Sequence, residues 1–144
     1  MNFKPFLPTE EQWVWFQERD PIAMIDDIKG VVAYKDGQIV AAVALDHWTE
    51  NSVQIHIAVD DPFVFKHGFA EEVFEYAYNS GDGRDIIIGN TPANNPHALK
   101  FNKHMGLTEI FRIKDVCAKG VDIVIQEMHR RDCRWLAENR EEAA

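Results

Sequence analysis

Hydrophobic and polar residues alternate with a period of two in the first half of the chain. The stretches "VVAY" and "QIVAAVAL" flank the pair Asp36-Gly37, whose residue types favour a tight turn. A third stretch, "VQIHIAVD", places aliphatic residues at the odd positions from Val53 to Val59. Because successive side chains of a strand point to opposite faces, this pattern predicts three neighbouring strands, the first two joined as a hairpin.

Three other stretches repeat their apolar residues at helical spacing. "TEEQWVWFQERD" opens with Thr9 and has Gln12 three residues later, the arrangement of a capping box, so a helix is predicted from this point. After it, "IAMIDDIKG" indicates a short second helix or an irregular segment. Two further helices are predicted from about Phe65 to Asn79 and from about Asn95 to Met105.

The remaining apolar segments predict three more strands. "DIIIGN" is short and buried, and "TEIFRIKDV" and "VDIVIQEMHR" are joined by a turn at Lys119-Gly120. The order of two helices, three strands, helix, strand, helix and two strands predicts a single α+β domain with a mixed, mostly antiparallel sheet. The helix between "VQIHIAVD" and "DIIIGN" makes these two strands parallel neighbours. The tail predicts one or two helical turns held by Trp135 and Leu136, and then frayed acidic residues.

Composition and net charge limit which partners the protein can bind, and they say less about its fold. The 15 Lys and Arg against 24 Asp and Glu leave a formal charge of −9, so no nucleic acid is expected, because phosphate binding needs a basic surface. The acidity suits a cationic substrate and equally suits plain solubility. No apolar run approaches the ~20 residues of a membrane span. Cys117 and Cys133 lack metal-ligand spacing, so we expect a cytoplasmic protein with reduced thiols and neither a metal site nor a membrane partner.

The stretch "IIIGNTPANNPHALKFNKHMGL" carries the most specific pattern. Asn95 opens a helix, Ala98 follows three positions later, and Gly106-Leu107 ends it, directly after a buried strand. Together with the element order, this pattern resembles the GNAT superfamily of acyl-coenzyme A-dependent N-acyltransferases. The resemblance covers residues 1–130 and leaves 131–144 as a C-terminal extension. It implies a twisted sheet flanked by helices and splayed between its fourth and fifth strands, "VQIHIAVD" and "DIIIGN".

The resemblance implies acetyl-coenzyme A as the acyl donor. The family's pyrophosphate loop, Gln/Arg-x-x-Gly-x-Gly/Ala, aligns with "FKHGFA", where Gly68 and Ala70 match and Phe65 replaces the Gln or Arg. Backbone N–H groups at the start of a helix would hold the diphosphate, although an ordinary entry from loop to helix explains the same residues. The donor-binding residues implied are Ile57, Ala58, Val59, Lys66, His67, Gly68, Phe69, Ala70, Asn90 and Asn95.

Two residues are implied as catalytic, His56 and Asn102. In the family a Tyr on the later helix often protonates the departing thiolate; here Asn102 takes its position, and Asn donates a hydrogen bond but no proton at neutral pH. Histidine is the side chain most often used as a general base near neutral pH, and His56 shares a strand face with Asp60, so it is a candidate base. A His satisfied within the sheet is the alternative, because the positions that more usually carry the family's base are aliphatic here. The second-choice groups, in the loop after the third strand, are Asp46, His47 and Glu50.

The function implied is transfer of an acetyl group to an amine of a small molecule or a protein, with a homodimer compatible with the resemblance. The alternative is a catalytically silent GNAT-fold protein that acts by binding, such as a phage internal virion or host-modulating protein. The stretch "GNTPANNPHALKF" is similar to GNAT-like domains in internal proteins of small podoviruses. Phe65 and Asn102 favour this alternative, whereas Gly68, Ala70 and Asn95 favour the enzyme.

Overall fold

The computed structural model describes the backbone of residues 1–143 and the side chains of residues 1–140. Within this part of the chain lie seven strands, four α-helices and two 3-10 turns. The strands are β1 (Asn2–Pro5), β2 (Lys29–Lys35), β3 (Gln38–Asp46), β4 (Ser52–Val59), β5 (Ile86–Pro92), β6 (Thr108–Ala118) and β7 (Val121–His129). The helices are α1 (Glu10–Gln17), α2 (Phe69–Asn79), α3 (Pro96–Met105) and α4 (Ala137–Ala143). The 3-10 turns are Pro62–His67 and Arg130–Asp132.

All seven strands belong to one sheet, in the order β1-β2-β3-β4-β5-β7-β6. Neighbouring strands are antiparallel except β4 and β5, which run parallel where Ser52–Gln54 pair with Ile86–Ile88. Beyond these residues β4 and β5 separate, while β4 stays paired with β3 and β5 with β7. The prediction of a single mixed sheet that is splayed between its fourth and fifth strands is confirmed.

The hairpin between β2 and β3 turns at Asp36 and Gly37, as predicted. Their φ angles are 53° and 79°, the left-handed backbone that a tight hairpin turn requires and that Gly and Asp tolerate best. The turn fixes how β3 enters the sheet, and β3 then places Ala44 opposite His56 of β4. The register of these strands therefore decides which side chains meet at the splay.

Helices cover both faces of the sheet. On one face α1 buries Phe16 against Phe6, Val32 and Ala58. On the other face α2 buries Phe74 and other apolar residues against the central strands. Complete burial of one such side chain contributes roughly 1.5–3 kcal/mol, so the two layers hold β4 firmly between them.

One strand was missed, and one predicted helix start is wrong. Strand β1 was not predicted, because four residues are too few to show an alternating pattern; its pairing with Val31–Tyr34 of β2 defines it. The helix predicted from Phe65 begins only at Phe69. Of the two alternatives for the segment after α1, the irregular one is found, with a turn at Asp26-Asp27.

The late start of α2 has a local cause. The side chain of Asp61 accepts a hydrogen bond from the Phe63 N–H (3.0 Å) and opens a 3-10 turn instead of the helix. Gly68 ends this turn with φ 87°, a left-handed conformation that cannot continue a right-handed helix. A new helix therefore begins directly after Gly68.

The capping box of α1 is half formed. Thr9 Oγ1 accepts a hydrogen bond from the Gln12 N–H (3.3 Å), as predicted. The Gln12 side chain does not bind back to Thr9; its Oε1 accepts from the Leu7 N–H (2.9 Å) and its Nε2 donates to the Pro5 carbonyl (3.2 Å). Buried Gln12 thus ties α1 to the end of β1, which the local pattern does not show.

The C-terminal segment is held as predicted. Trp135 Nε1 donates to the Met105 carbonyl (2.8 Å), and Leu136 is completely buried in the core. A domain boundary after residue 130 stays a prediction, and the predicted frayed end falls on residues 141–144, outside the described side chains. Among the described residues no helix has the length and apolar character needed to cross a bilayer.

Candidate active-site cleft

A cleft opens where β4 and β5 separate, with a volume of about 230 Å³. Its walls come from β4, β5, α3 and the segment directly after α1. The predicted site residues that line it are His56, Ile57, Ala58, Val59, Asn90, Asn95 and Asn102. The predicted loop residues that lie outside the lining are Lys66, His67, Gly68, Phe69 and Ala70.

The open edge of β4 carries unused backbone amides. Asp60 N–H donates to the Val40 carbonyl (2.9 Å), and Ala58 lies opposite Ala42 in the same register. Amides alternate in direction along a strand, so the even-numbered residues of β4 bond to β3 and the odd-numbered ones point the other way. The amides of Ile57 and Val59 therefore face the cleft, whereas the amide of Ala58 contributes nothing to it.

Two histidines share one carboxylate oxygen beside the cleft. His56 Nε2 lies 3.0 Å from Asp46 Oδ1, and His47 Nδ1 lies 3.0 Å from the same atom. The Asp46 side chain is 4% exposed and that of His56 18%, whereas that of His47 is 56% exposed. Since Nε2 donates to the carboxylate, Nδ1 of His56 is left as the acceptor atom.

The charges of this group reinforce one another. Burial disfavours the ionised Asp46 carboxylate, but hydrogen bonds from His56 and His47 outweigh it and hold the pKa of Asp46 below its usual range. The hydrogen bond to Asp46 raises the pKa of His47. His47 also has φ 51°, an uncommon backbone conformation for a residue with a side chain. A carboxylate that stays ionised beside His56 is thus built into the fold.

A second carboxylate, Asp20, also lines the cleft. Burial raises its pKa, and the nearby His56 opposes that rise. Among the side chains of residues 1–140 none donates a hydrogen bond to it. Asp20 could not be selected from the sequence, because it approaches His56 only once α1 has packed on the sheet.

Asp60 is not a partner of His56. Its two carboxylate oxygens accept from Arg19 Nε and Nη2, both at 2.8 Å, and the Arg19 guanidinium lies 3.9 Å from the centroid of the Trp15 ring. The alternation along β4 placed Asp60 on the same face as His56, but the Asp60 carboxylate is bound by Arg19. The partner that His56 does find is Asp46, which was only a second-choice residue.

Asn102 is held in a polar network on the α3 side of the cleft. Its Nδ2 donates to Thr91 Oγ1 and to Gln126 Oε1, both at 3.1 Å. Thr91 and Gln126 are buried, with 7% and 4% exposure. Both amide hydrogens of Asn102 are used within the protein, so this side chain has none left to donate to a bound thioester.

Helix α3 begins and ends as predicted. Asn95 Oδ1 accepts from the Ala98 N–H (3.1 Å), which caps the first turn. Gly106 ends the helix with φ 116°, and the Leu107 N–H donates back to the Asn102 carbonyl (3.0 Å). The side-chain nitrogen Nδ2 of Asn95 has no partner among residues 1–140 and lies at the cleft, whereas its backbone N–H donates to the Pro92 carbonyl (3.1 Å).

No protein-family model matches the sequence, and no curated protein matches it. Solved structures do match. The spermidine/spermine N-acetyltransferase SpeG from Vibrio cholerae superposes on 90% of this chain and 92% of its own with a TM-score of 0.68, at 9% identity. A GNAT family acetyltransferase from Elizabethkingia anophelis with acetyl-CoA bound covers 89% of this chain and 97% of its own with a TM-score of 0.68, at 12% identity. The chain has the GNAT fold.

The GNAT fold confirms the resemblance at the level of architecture. At such low identity a shared fold does not carry an activity with it, so the function must be argued from the residues of the cleft. Those residues include Asp20 and Thr91, which were not singled out from the sequence. Asp20 follows α1, and Thr91 belongs to β5.

Proposed function

We propose that this GNAT-fold protein is an N-acyltransferase that moves an acyl group from a thioester to an amine. The observation that carries the proposal is the meeting of two features in one cleft. The unused amides of Ile57 and Val59 face it, and His56 lines it while bonded to the buried carboxylate of Asp46. Acyl transfer to an amine needs both a hydrogen-bond donor for the carbonyl oxygen and a base for the amine.

The cleft fits the acyl-pantetheine arm of an acyl-coenzyme A. The arm contains amide groups, which match the free edge of β4 in the manner of an added strand. The amides of Ile57 and Val59, with Asn90 and Nδ2 of Asn95, would hold it. When bound, the thioester supplies an activated acyl group with a thiol as leaving group.

The acceptor side of the cleft favours a cationic amine. The Asp20 carboxylate lines the cleft without a side-chain partner among residues 1–140, and a half-buried carboxylate attracts an ammonium group. His56 lies close enough to Asp20 for their charges to interact. An amine bound at Asp20 therefore lies near the atom that must take its proton.

His56 then performs the proton transfer. Nδ1 accepts the proton of the attacking amine while Asp46 stabilises the resulting imidazolium. The nitrogen–carbon bond forms as the carbon–sulfur bond breaks, the electron pair of that bond stays on sulfur, and the thiolate leaves as a thiol after taking up one proton. One of the Ile57 and Val59 N–H groups donates to the carbonyl oxygen as it gains negative charge, while the other, two residues away along the strand, stays with the pantetheine arm.

Asn102 acts through Thr91. Thr91 Oγ1 accepts from Asn102 Nδ2, and its own hydrogen has no acceptor among residues 1–140, so the hydroxyl is free to donate into the cleft that it lines. A hydroxyl cannot protonate a thiolate at neutral pH, but it can stabilise one by a hydrogen bond. In this proposal Asn102 is a positioning residue for Thr91.

The direct test is a transfer assay with the full-length protein. An acetyl thioester is mixed with spermidine or with a panel of peptide amines, and the released thiol and the acetylated amine are both quantified. We expect the two products to form in equal amounts, faster than in a control without protein. Thiol release without an acetylated amine, or no release at all, would contradict the proposal.

A second candidate function is binding without catalysis. The use of both Asn102 amide hydrogens within the protein favours it, because the position that often carries the family's acid holds no acid. This candidate predicts that a thioester raises the melting temperature although no acylated amine forms. Ligand at 100 times its dissociation constant adds about 2.7 kcal/mol to the free energy of unfolding. Binding of the thioester can therefore be measured whether or not the protein catalyses acyl transfer.

A further inference from the structure

An aromatic contact separates the cleft from the loop that precedes α2. Phe101 lines the cleft, and its ring centroid lies 5.6 Å from that of Phe65. Phe65 also packs against Phe69, at 6.1 Å. Rings at these distances are in contact, so no ligand chain passes between them. None of residues 61–70 lines the cleft, so on this side its wall is Phe101, with Phe65 packed behind it.

The loop itself is poorly suited to bind a diphosphate. The Gly68 N–H is used, because it donates to the Val64 carbonyl. The next two residues, Phe69 and Ala70, are each 1% exposed, so the first turn of α2 presents little backbone to a ligand. A phosphate group needs N–H donors that are free and accessible. Because few are available here, the start of α2 lacks the anion-binding property that helix starts usually have.

The charges near the loop also disfavour a bound diphosphate. Glu71 and Glu72 occupy the first turn of α2, and Glu71 Oε2 lies 3.7 Å from where a Cβ on Gly68 would be. The two basic residues close by pack on Phe63: Lys66 Nζ lies 5.1 Å from its ring centroid, and the centroid of the His67 ring lies 5.2 Å from it. Carboxylates at this end and a formal charge of −9 on the chain repel a polyphosphate.

We infer that this protein recognises acyl-pantetheine thioesters and does not require the 3′-phospho-ADP part of coenzyme A. The inference rests on the proposed function and names its donor class. The contacts that would hold such a donor all lie inside the cleft, at Ile57, Val59 and Asn95. The chemistry is unchanged: the carbon–sulfur bond of the thioester breaks, the new carbon–nitrogen bond forms, and the pantetheine thiol leaves with one proton.

The first test compares donors on the wild-type protein. We expect kcat/KM for acetylpantetheine and acetyl-coenzyme A to agree within about threefold, because the nucleotide adds no binding that differs between ground and transition state. An acetylated phosphopantetheine on a carrier protein forms a third arm; faster transfer from it identifies the carrier as the source of the same chemistry. A preference for acetyl-coenzyme A of about 100-fold or more would overturn the inference, since that needs charge-assisted phosphate contacts.

The second test restores the missing cation. Phe65→Arg should raise kcat/KM for acetyl-coenzyme A at least about tenfold relative to acetylpantetheine, because one charge-assisted hydrogen bond is worth that much. Phe65→Leu is the matched control, since it opens the same contact without adding charge, and it should leave the ratio unchanged. An equal gain for both donors, or the same change in both variants, would contradict the account. If Phe65→Arg does not fold, the wild-type ratio decides.

The outcomes also separate this inference from the proposed function. If no thioester of any kind is consumed and none raises the melting temperature, the proposed function fails, and the inference fails with it. If acetyl-coenzyme A is consumed and acetylpantetheine is not, the enzyme stands and only the donor class proposed here is wrong.

Discussion

Nε2 of His56 lies 3.0 Å from Oδ1 of Asp46, ten residues earlier on the neighbouring strand. The contact pairs a histidine that lines the cleft with a carboxylate that is almost completely buried. The same oxygen binds the exposed His47. Because the carboxylate fixes which ring nitrogen carries the proton, this relationship is what allows Nδ1 of His56 to act as a base.

Replacing Asp46 by Asn should lower kcat by about 10²–10⁴-fold, because the imidazolium that forms on His56 loses its charge partner. KM should change little, since Asp46 does not line the cleft. The control is His47→Gln, which removes the other hydrogen bond to the same oxygen and should lower kcat by less than about threefold. Loss of kcat in Asp46→Asn together with loss of donor-induced thermal stabilisation would instead indicate a damaged fold.

The pKa of Asp46 predicts how stability depends on pH. Folding lowers this pKa, so the stability that the group contributes is present above the ordinary carboxyl pKa of about 3.9 and is lost as the pH falls through the lower folded value. The melting temperature of the wild type should therefore fall more steeply with acid than that of Asp46→Asn. Parallel curves below pH 4 would show that the hydrogen bonds to Asp46 do not stabilise the ionised form.

The contribution of Asp20 to stability should depend on pH in the opposite direction to that of Asp46. Burial raises its pKa, so the stability linked to it is present below about pH 3.9 and is lost as the pH rises through the folded value. Asp20→Asn should then melt at a higher temperature than wild type at pH 7, with the difference vanishing in acid. The exposed Asp82→Asn is the matched control and should leave the melting temperature unchanged at both pH values.

Asp20→Asn should also weaken the binding of cationic acceptors. We expect KM for spermidine to rise by about tenfold, because a carboxylate in a partly buried cleft is worth about 1–2 kcal/mol to an ammonium group. An uncharged acceptor amine should show no such change. A rise of equal size for both acceptors would mean that Asp20 shapes the cleft without recognising charge.

Much of the fold could be predicted because its signals are local. Asp36 and Gly37, two adjacent residues, are enough to predict the hairpin turn. Asn95 and Gly106 mark the two ends of α3 within a stretch of twelve residues. The cleft residues depend on contacts between distant parts of the chain. His56 meets Asp46 through strand register, Asp20 arrives with α1, and Phe65 meets Phe101 across 36 residues, so periodicity in one segment shows none of them.

Thr91→Val should lower kcat by about ten- to a hundredfold, because it removes a hydrogen bond to a developing thiolate while keeping the shape of the side chain. Thr91→Ser keeps the hydroxyl and should retain most of the rate. The loss in Thr91→Val should shrink when the thioester has a more acidic thiol, since a better leaving group needs less stabilisation. Equal losses for both leaving groups would place the effect of Thr91 elsewhere.

The most direct test of the central claim is the effect of His56→Ala on the rate of amine acylation at saturating thioester. The account predicts a fall of about 10²–10⁴-fold in kcat, the range expected for loss of a general base, while the thioester still raises the melting temperature of the variant. A His56→Ala variant that acylates spermidine within about threefold of an active wild type would contradict the claim that His56 is the base in this cleft.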